Sequence, residues 1–278
     1  MSTTTRALFV SATLALSLLP AISSAQRCSR GRAGVPLPIA LTMGPADFGT
    51  TPAPCSDARV GLDLRGAALI DEPDFYGALG AEAVLSGTVP LTRRVWLTGA
   101  LTALRYRYVQ NATLLATDIG LGPSDVGLHV GLIAQDNLRV STYVRVLLPT
   151  ETPTQYALRT GIEAGVAAMW TPHRRINLLG GLSVPIEMSF LGGHGLAYGS
   201  VRASLDAAAL IAAWFEPVLG VEVRIGNDPS GPLEYIAPRL SLRAHLGRGV
   251  ALHLTGMLPL GGIERTLARF SLGLQVGF

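Results

Sequence analysis

From Asp57 to its last residue, the chain is a succession of segments in which apolar and polar residues alternate. The segment Leu138–Pro149 reads LRVSTYVRVLLP, with Val or Thr at the even positions from 140 to 146 and Arg, Ser or Tyr at the odd positions between them. The closing segment Ala268–Phe278, ARFSLGLQVGF, alternates in the same way. A period of two places successive side chains on opposite faces of a β-strand. Each segment is therefore predicted to be a strand with one apolar face and one polar or small face.

Apolar residues are abundant, but they do not form a long continuous run after the N-terminal segment. Hydrophobic residues make up 49% of the 278 residues, and charged residues only 15%. The longest clean apolar run is Ala207–Phe215, whereas a helix that spans a membrane needs about 20 residues. Two structures remain for such a chain. One is a soluble β protein, and the other is a closed β-barrel that satisfies its own backbone groups inside a membrane.

Twelve alternating segments can be counted, with turn signals between them. Short turns such as AQDN and LGRG alternate with longer loops such as SFLGGHG and NDPSGPL, which is typical of outer-membrane barrels. The predicted fold class is all-β: a single antiparallel transmembrane β-barrel of about twelve strands in up-and-down topology, formed by residues 57–278. An even number of antiparallel strands is expected to put both ends of the barrel chain on the periplasmic side. The closing strand is expected to pair with the first one near residues 60–69.

A soluble sandwich is the alternative, because its strands would also alternate. Its apolar faces would fill a core of large side chains, whereas the faces here are mainly Leu, Val, Ala and Gly. The polar faces carry Arg together with Asp, Glu and Gly, which fits a wet barrel interior better than an outer surface. Trp96, Trp170 and Trp214 fall near segment ends, where the aromatic girdles of membrane barrels lie. These features favour a barrel whose apolar face contacts outer-membrane lipid.

The N-terminus has the features of an export signal. Arg6 is followed by an apolar stretch over residues 7–22, and Ser-Ser-Ala precedes the cleavage predicted after Ala25. Residues 1–25 are therefore predicted to be a cleaved signal peptide, and a retained membrane anchor is the alternative. With the barrel pattern, this segment predicts the bacterial outer membrane as the location.

Residues 26–56 are rich in Pro, Gly and Thr and show no clear period. They are expected to form a periplasmic or plug-like segment ahead of the barrel. Cys28 and Cys55 are the chain's two cysteines, and export would carry them into an oxidising compartment. A disulfide between them is expected, with two incidental thiols as the alternative.

The stretch Asp118–Thr152 combines a glycine loop, a strand, a short turn, a second strand and a Pro-Thr pair. It resembles a family of outer-membrane transporters associated with phenol meta-pathway degradation, which carries a GxGD loop and a PTG motif at these places. The matching positions are Gly120, Gly122, Asp125, Pro149 and Thr150. Ser124 interrupts the loop motif, and Glu151 stands where the family has Gly. The resemblance covers 35 of the 278 residues and implies an outer-membrane transport barrel, without defining its substrate.

The C-terminal residues carry a second resemblance. The alternating run that ends in an aromatic residue is similar to the sorting signal of outer-membrane barrels, which the barrel assembly machinery reads. The positions that match are Leu272, Leu274, Val276 and Phe278. This resemblance implies that the assembly machinery is a partner of the chain.

The polar faces of the predicted strands supply the candidate lumen residues. These are Arg59, Arg65, Glu82, Arg105, Arg107, Arg139, Arg145, Arg159, Glu163, Arg224, Arg239 and Arg243. An excess of Arg would favour anions in a pore, so the sequence predicts a channel or transporter for small solutes, with anionic and aromatic solutes as candidates. The alternative is a barrel of structural or adhesive role, in which Arg and acid pair across a narrow lumen and fill it.

An outer-membrane lipid-modifying enzyme is a third hypothesis. Such an enzyme would need a Ser–His pair on the lipid-facing side. His129, His245 and His253 instead fall on the predicted lumen face, so no catalytic residue is expected. The sequence carries no phosphate loop or metal-binding motif, so no cofactor or metal is expected. The formal net charge of only +3 does not suggest nucleic acid as a partner.

Overall fold

The structure is a computed structural model that describes residues 54, 58–71, 76–110, 115–135, 137–150, 158–191, 194–228, 231–247, 250–261 and 266–277. No helix within these ranges is both long and apolar enough to cross a membrane. The described residues form strands β1 (Arg59–Asp71), β2 (Tyr76–Pro90), β3 (Val95–Gln110), β4 (Leu115–Gly120), β5 (Ser124–Ala134), β6 (Leu138–Leu148), β7 (Leu158–His173), β8 (Ile176–Leu191), β9 (His194–Ala209), β10 (Phe215–Asp228), β11 (Gly231–Gly247), β12 (Val250–Met257) and β13 (Thr266–Gly277).

Twelve of these strands form a closed antiparallel barrel, and β4 is additional. Strands that follow one another in the chain lie side by side, as in an up-and-down barrel. The ring closes where β1 pairs with β13, from Arg59 opposite Gly277 to Leu69 opposite Thr266. The predicted fold class is therefore confirmed, including the pairing of the closing strand with the first one.

Strand β4 has no counterpart among the twelve segments predicted from the sequence. It pairs with the C-terminal half of β3, from Arg105 to Gln110, while β5 pairs with the N-terminal half, from Val95 to Leu101. The two strands therefore lie along the same edge of β3, interrupted at residues 121–123. Pro123 has no backbone N–H to give to a ladder, and the Gly122 N–H instead donates to the Thr102 carbonyl at 3.1 Å.

Two of the stretches predicted to be long loops are instead short connections between strands. The SFLGGHG stretch was expected to be a loop, but β8 continues to Leu191 and β9 begins at His194. The NDPSGPL stretch is similar, since β10 ends at Asp228 and β11 begins at Gly231. The Gly, Pro and Asp residues therefore mark tight connections between long strands, because turn-forming residues report where the chain reverses and not how long the loop is.

Burial alternates along the strands and identifies the two faces of the wall. In β6, Tyr143 and Arg145 are buried, whereas Val144 and Val146 are 43% and 40% exposed. In β13, Ser271 is buried, and Leu272 is exposed on the opposite face. The buried face is the inside of the closed barrel, and the exposed apolar face is its outer surface. This is the reverse of a soluble domain, which buries its large apolar side chains.

Several sequence predictions fall outside the described residues. These predictions concern the signal peptide over 1–25, most of the segment 26–56, the cysteines Cys28 and Cys55, and the terminal aromatic Phe278. They remain predictions. The other three positions of the proposed sorting signal lie in β13, where Leu272 and Leu274 are exposed and Val276 is half-buried.

Candidate functional site

The inner surface of the barrel is charged and largely buried. Eight of the predicted lumen residues are buried there: Arg65, Glu82, Arg105, Arg145, Glu163, Arg224, Arg239 and Arg243. Arg59 and Arg139 are half-buried, and the side chains of Arg107 and Arg159 lie outside what the structure describes. Burying an ionised group is costly unless it is paired and hydrogen-bonded, so the partners of these side chains decide what the interior can do.

Glu163 on β7 is the centre of an ion network that involves three neighbouring side chains. Arg145 on β6 donates to Glu163 Oε2 through Nε at 3.0 Å and also through a second nitrogen. Arg202 on β9 donates to the other carboxylate oxygen, Oε1. The Tyr143 hydroxyl donates to the same oxygen at 3.3 Å. One carboxylate on β7 therefore connects strands on both sides of it.

Two further arginines on neighbouring strands have their own carboxylates. Arg224 on β10 donates to Glu187 Oε1 at 3.1 Å and to the Ser200 hydroxyl at 2.8 Å. Arg239 on β11 donates to both oxygens of Asp206 on β9, with its contact to Oδ2 at 2.6 Å. These are charge-assisted bonds, which are stronger than bonds between neutral groups.

Inward-facing glycines let side chains meet across an intervening strand. Gly220 on β10 lies in register with Asp206 on one side and Arg239 on the other. A Cβ at Gly220 would fall on the Asp206 carboxylate. The glycine leaves the space over β10 through which that carboxylate reaches Arg239. Long polar side chains can thus lie along the wall and bond two strands away.

The same arrangement brings a histidine to an aspartate. Gly273 on β13 lies between His253 on β12 and Asp63 on β1, and a Cβ there would fall on both side chains. His253 Nε2 lies 2.7 Å from Asp63 Oδ1. His245 forms a similar pair, with Nε2 3.0 Å from Glu216 Oε2. Both histidines thus have acids beside them, which the sequence reading did not foresee.

Three aromatic rings stack on the inner wall of β3, β5 and β6. The ring of His129 lies 5.3 Å from that of Trp96 and 5.3 Å from that of Tyr143, with interplanar angles of 12° and 26°. His129 Nε2 also lies 2.9 Å from the Thr98 hydroxyl. Trp96 is therefore inside the barrel and not in the predicted aromatic girdle, whereas Trp170 and Trp214 are exposed.

A β-bulge explains why Trp96 and Arg105 both face inward although one position is even and the other odd. Opposite β2, Thr102 pairs with Val84 and Leu104 with Ala83, so Ala103 is the extra residue. A bulge shifts the alternation of the residues that follow it. The residues of β3 before the bulge therefore face inward at even positions, and those after it face inward at odd positions.

Two of the residues that carry the family resemblance, Gly122 and Thr150, meet at the interruption between β4 and β5. The Thr150 hydroxyl, which follows β6, lies within 2.9 Å of the Gly122 carbonyl and 2.9 Å of the Ser124 hydroxyl. Residues 28 positions apart in the chain thus fix one local structure. Ser124, which departs from the family motif, is part of this contact.

Glu187 and Glu216 are two inner acids that the sequence reading missed. Glu187 is fully buried, and Glu216 is 1% exposed. Glu187 follows Ser183 and Pro185 on the same face of β8, which continues to Leu191, so the alternation of this strand identifies Glu187 as an inner residue. Glu216 lies at the start of β10, which begins at Phe215, and the turn-forming residue Pro217 next to it hides the strand in the sequence.

A closed antiparallel barrel with an apolar outer surface and a charged inner surface defines the class: the chain has the fold of outer-membrane β-barrels. Among solved structures it is similar to the COG4313 outer membrane channel from Pseudomonas putida F1, with a TM-score of 0.64 and 13% identity over 85% of this chain and 100% of that one.

Two other solved structures are similar. The translocator domain of the autotransporter NalP from Neisseria meningitidis has a TM-score of 0.56 and 11% identity, over 84% of this chain and 90% of that one. The NanC porin has a TM-score of 0.50 and 12% identity, over 78% and 98%. The sequence matches no protein-family model and no curated protein. At such low identity these similarities establish the fold alone.

Proposed function

We propose that the chain is an outer-membrane channel for small solutes, held in lipid by its apolar outer surface. The observation that carries the proposal is the inversion of the two surfaces. Leu, Val and Ile side chains cover the outside, while Arg, Asp, Glu, Ser and Thr line the inside. Lipid accepts a closed barrel with an apolar exterior, and a charged interior provides a polar path between the two ends.

The neighbours in fold support the same function by analogy. The first is described as an outer membrane channel and another as a porin. Outer-membrane lipid and the barrel assembly machinery are the partners that this location requires. The path is narrow, because twelve strands lie between the packed eight-stranded barrels and the open sixteen-stranded porins. We therefore expect only small solutes to pass.

A structural barrel with a filled interior is the second candidate, and the burial of the inner charges favours it. Arg145, Arg202, Arg224 and Arg239 all bond to carboxylates instead of pointing into open solvent. If these networks are permanent, they close the path. The two functions differ in one measurable property, the passage of solutes.

Solute-dependent swelling of proteoliposomes distinguishes the two candidates. Purified full-length chain is reconstituted and exposed to uncharged solutes of increasing size, with protein-free liposomes as the control. The channel predicts swelling for the smallest solutes and a steep decrease with size. Swelling no faster than in protein-free liposomes, even for the smallest solute, would reject the channel in favour of the filled barrel.

A further inference from the structure

Arg243 differs from Arg145, Arg202, Arg224 and Arg239 because its guanidinium group makes no hydrogen bond within the described residues. It lies on the inner face of β11 and is 2% exposed. Within the described residues, none of its three guanidinium nitrogens has a hydrogen-bond partner. The nearest carboxylate contact is Glu216 Oε2, which lies 3.9 Å from Nη1, too far for a hydrogen bond.

The acids around Arg243 already have closer partners. Glu216 Oε2 lies 3.0 Å from His245 Nε2. Asp206 accepts bonds from Arg239, which lies four residues before Arg243 on the same strand. These two acids therefore do not hold the guanidinium group of Arg243 by hydrogen bonds, and its N–H donors stay unused.

Such an arrangement is costly in a buried place. A guanidinium carries five N–H donors in a planar fork and cannot lose its charge. A buried polar group without a partner calls for an explanation, which is often a water molecule or an ion. The fork matches two oxygens of a carboxylate or phosphate group. The chemistry of the unused donors therefore points to an oxyanion.

Two more unused polar atoms lie on the strands beside it. His253 is the cross-strand neighbour of Arg243 on β12, and its Nδ1 is buried without a partner. Ser271 lies on the next strand, β13, and its hydroxyl is also buried without a partner within the described residues. Arg243, His253 and Ser271 thus carry unused polar atoms on the consecutive strands β11, β12 and β13.

We propose that Arg243 is the anion-binding residue of the barrel interior and that it takes small oxyanions such as carboxylates and phosphate. The inference rests on the proposed channel function and adds a solute class to it. Because the guanidinium has no hydrogen bond to break, its side chain can turn towards an anion more easily than those of Arg239 or Arg224. Arg145, Arg202, Arg224 and Arg239, which bond to carboxylates, connect the strands of the wall.

Anion binding can be measured without any conductance. The thermal unfolding of the purified full-length chain in detergent is followed with sodium phosphate, sodium acetate or sodium chloride at equal ionic strength. The wild type is expected to gain stability with phosphate and acetate in a saturable manner. R243Q is expected to bind phosphate at least about tenfold more weakly, since it loses a charged donor pair. R175Q, which removes an exposed arginine from a turn, is the matched control and should behave like the wild type.

A second variant covers the case in which R243Q does not fold. R243K keeps the charge but loses the planar fork, and it should bind acetate and phosphate several-fold more weakly than the wild type. Equal stabilisation of the wild type by all three salts would overturn the proposal. Unchanged phosphate binding in R243Q or R243K would also overturn it, because the anion would then be bound elsewhere.

The reversal potential across a salt gradient separates this proposal from the channel proposal. If the wild type conducts, R243Q should keep its conductance and lose its preference for anions. If the wild type and R243Q both conduct, prefer anions equally and bind phosphate equally, the anion site at Arg243 is rejected and the channel proposal stands. If phosphate binding depends on Arg243 but the wild type does not conduct, the channel proposal is rejected and the anion site stands.

Discussion

At the scale of single residues, the barrel interior depends on carboxylates that serve more than one arginine. Glu163 accepts from Arg145 and Arg202, so it compensates two buried cations at once. A buried ion pair adds little to stability compared with a well-packed apolar pair, but breaking one leaves a charge without a partner. The acids at such junctions should therefore be sensitive to substitution.

Replacing Glu163 with Gln should lower the free energy of unfolding by about 3–5 kcal/mol, because it leaves two buried guanidinium groups without their shared anion. Urea unfolding of the barrel in lipid vesicles, followed by tryptophan fluorescence, measures the change. The control is Glu234→Gln at an exposed position of β11, which should change stability by less than about 0.5 kcal/mol. Equal changes in the free energy of unfolding for the two substitutions would show that the Glu163 network does not stabilise the barrel more than an exposed acid does.

Sequence parity could predict which charged residues face inward but not which of them bond. Arg65 and Arg145 follow from alternation alone. The bond between Arg239 and Asp206 crosses a whole strand, so it depends on strand register and on the glycine between them. The lack of hydrogen bonds at Arg243 is likewise invisible in the sequence, since its neighbours include two acids.

At the scale of strands, the inward glycines determine how the inner side chains lie. Replacing Gly220 with Ala would place a methyl group on the Asp206 carboxylate and displace it from Arg239. We expect a loss of about 1–3 kcal/mol, the usual cost of overpacking. The free energy of unfolding in lipid vesicles is the measurement.

Gly256 on β12 offers a matched control for this prediction. A Cβ at that position meets no atom within 4 Å. Gly256→Ala should therefore leave stability unchanged or raise it slightly, because alanine loses less backbone entropy than glycine on folding. A loss at Gly256 as large as that at Gly220 would indicate a general intolerance of side chains in these strands.

The outer face of each strand should respond to charge according to depth. Val201 lies near the middle of β9 and is 48% exposed, whereas Ile211 lies in the connection after that strand and is 63% exposed. Val201→Arg should cost about 2–4 kcal/mol in lipid, and Ile211→Arg about 0–1 kcal/mol. Unfolding in vesicles measures both. Equal costs at the two depths would argue against a membrane-embedded outer surface.

The sequence could predict the long strands but not the short one. Alternation continues for ten or more residues in most strands, which outweighs local propensity. The strand β4 has only six residues and lies next to Gly122 and Pro123, so the local sequence predicts a turn more strongly than a strand. Its pairing is a tertiary effect, because β3 extends beyond the residues that pair with β5 and β4 pairs with this extension along the same edge.

At the scale of the whole molecule, the fold follows from two properties of the sequence. An alternating chain with no long apolar run has many strands, and strands with an exposed apolar face are stable in lipid only when their edges are closed. The pairing of β1 with β13 provides this closure. Whether the interior conducts could not be predicted, because it depends on how side chains from different strands fill the same space.

Single-channel conductance of the full-length wild-type chain in a planar lipid bilayer tests the proposed function most directly. The narrow charged interior predicts small, reproducible steps of current that appear only after the protein is added. A bilayer that contains the inserted barrel but shows no current above that of the protein-free membrane would contradict the channel and leave a barrel with a filled interior.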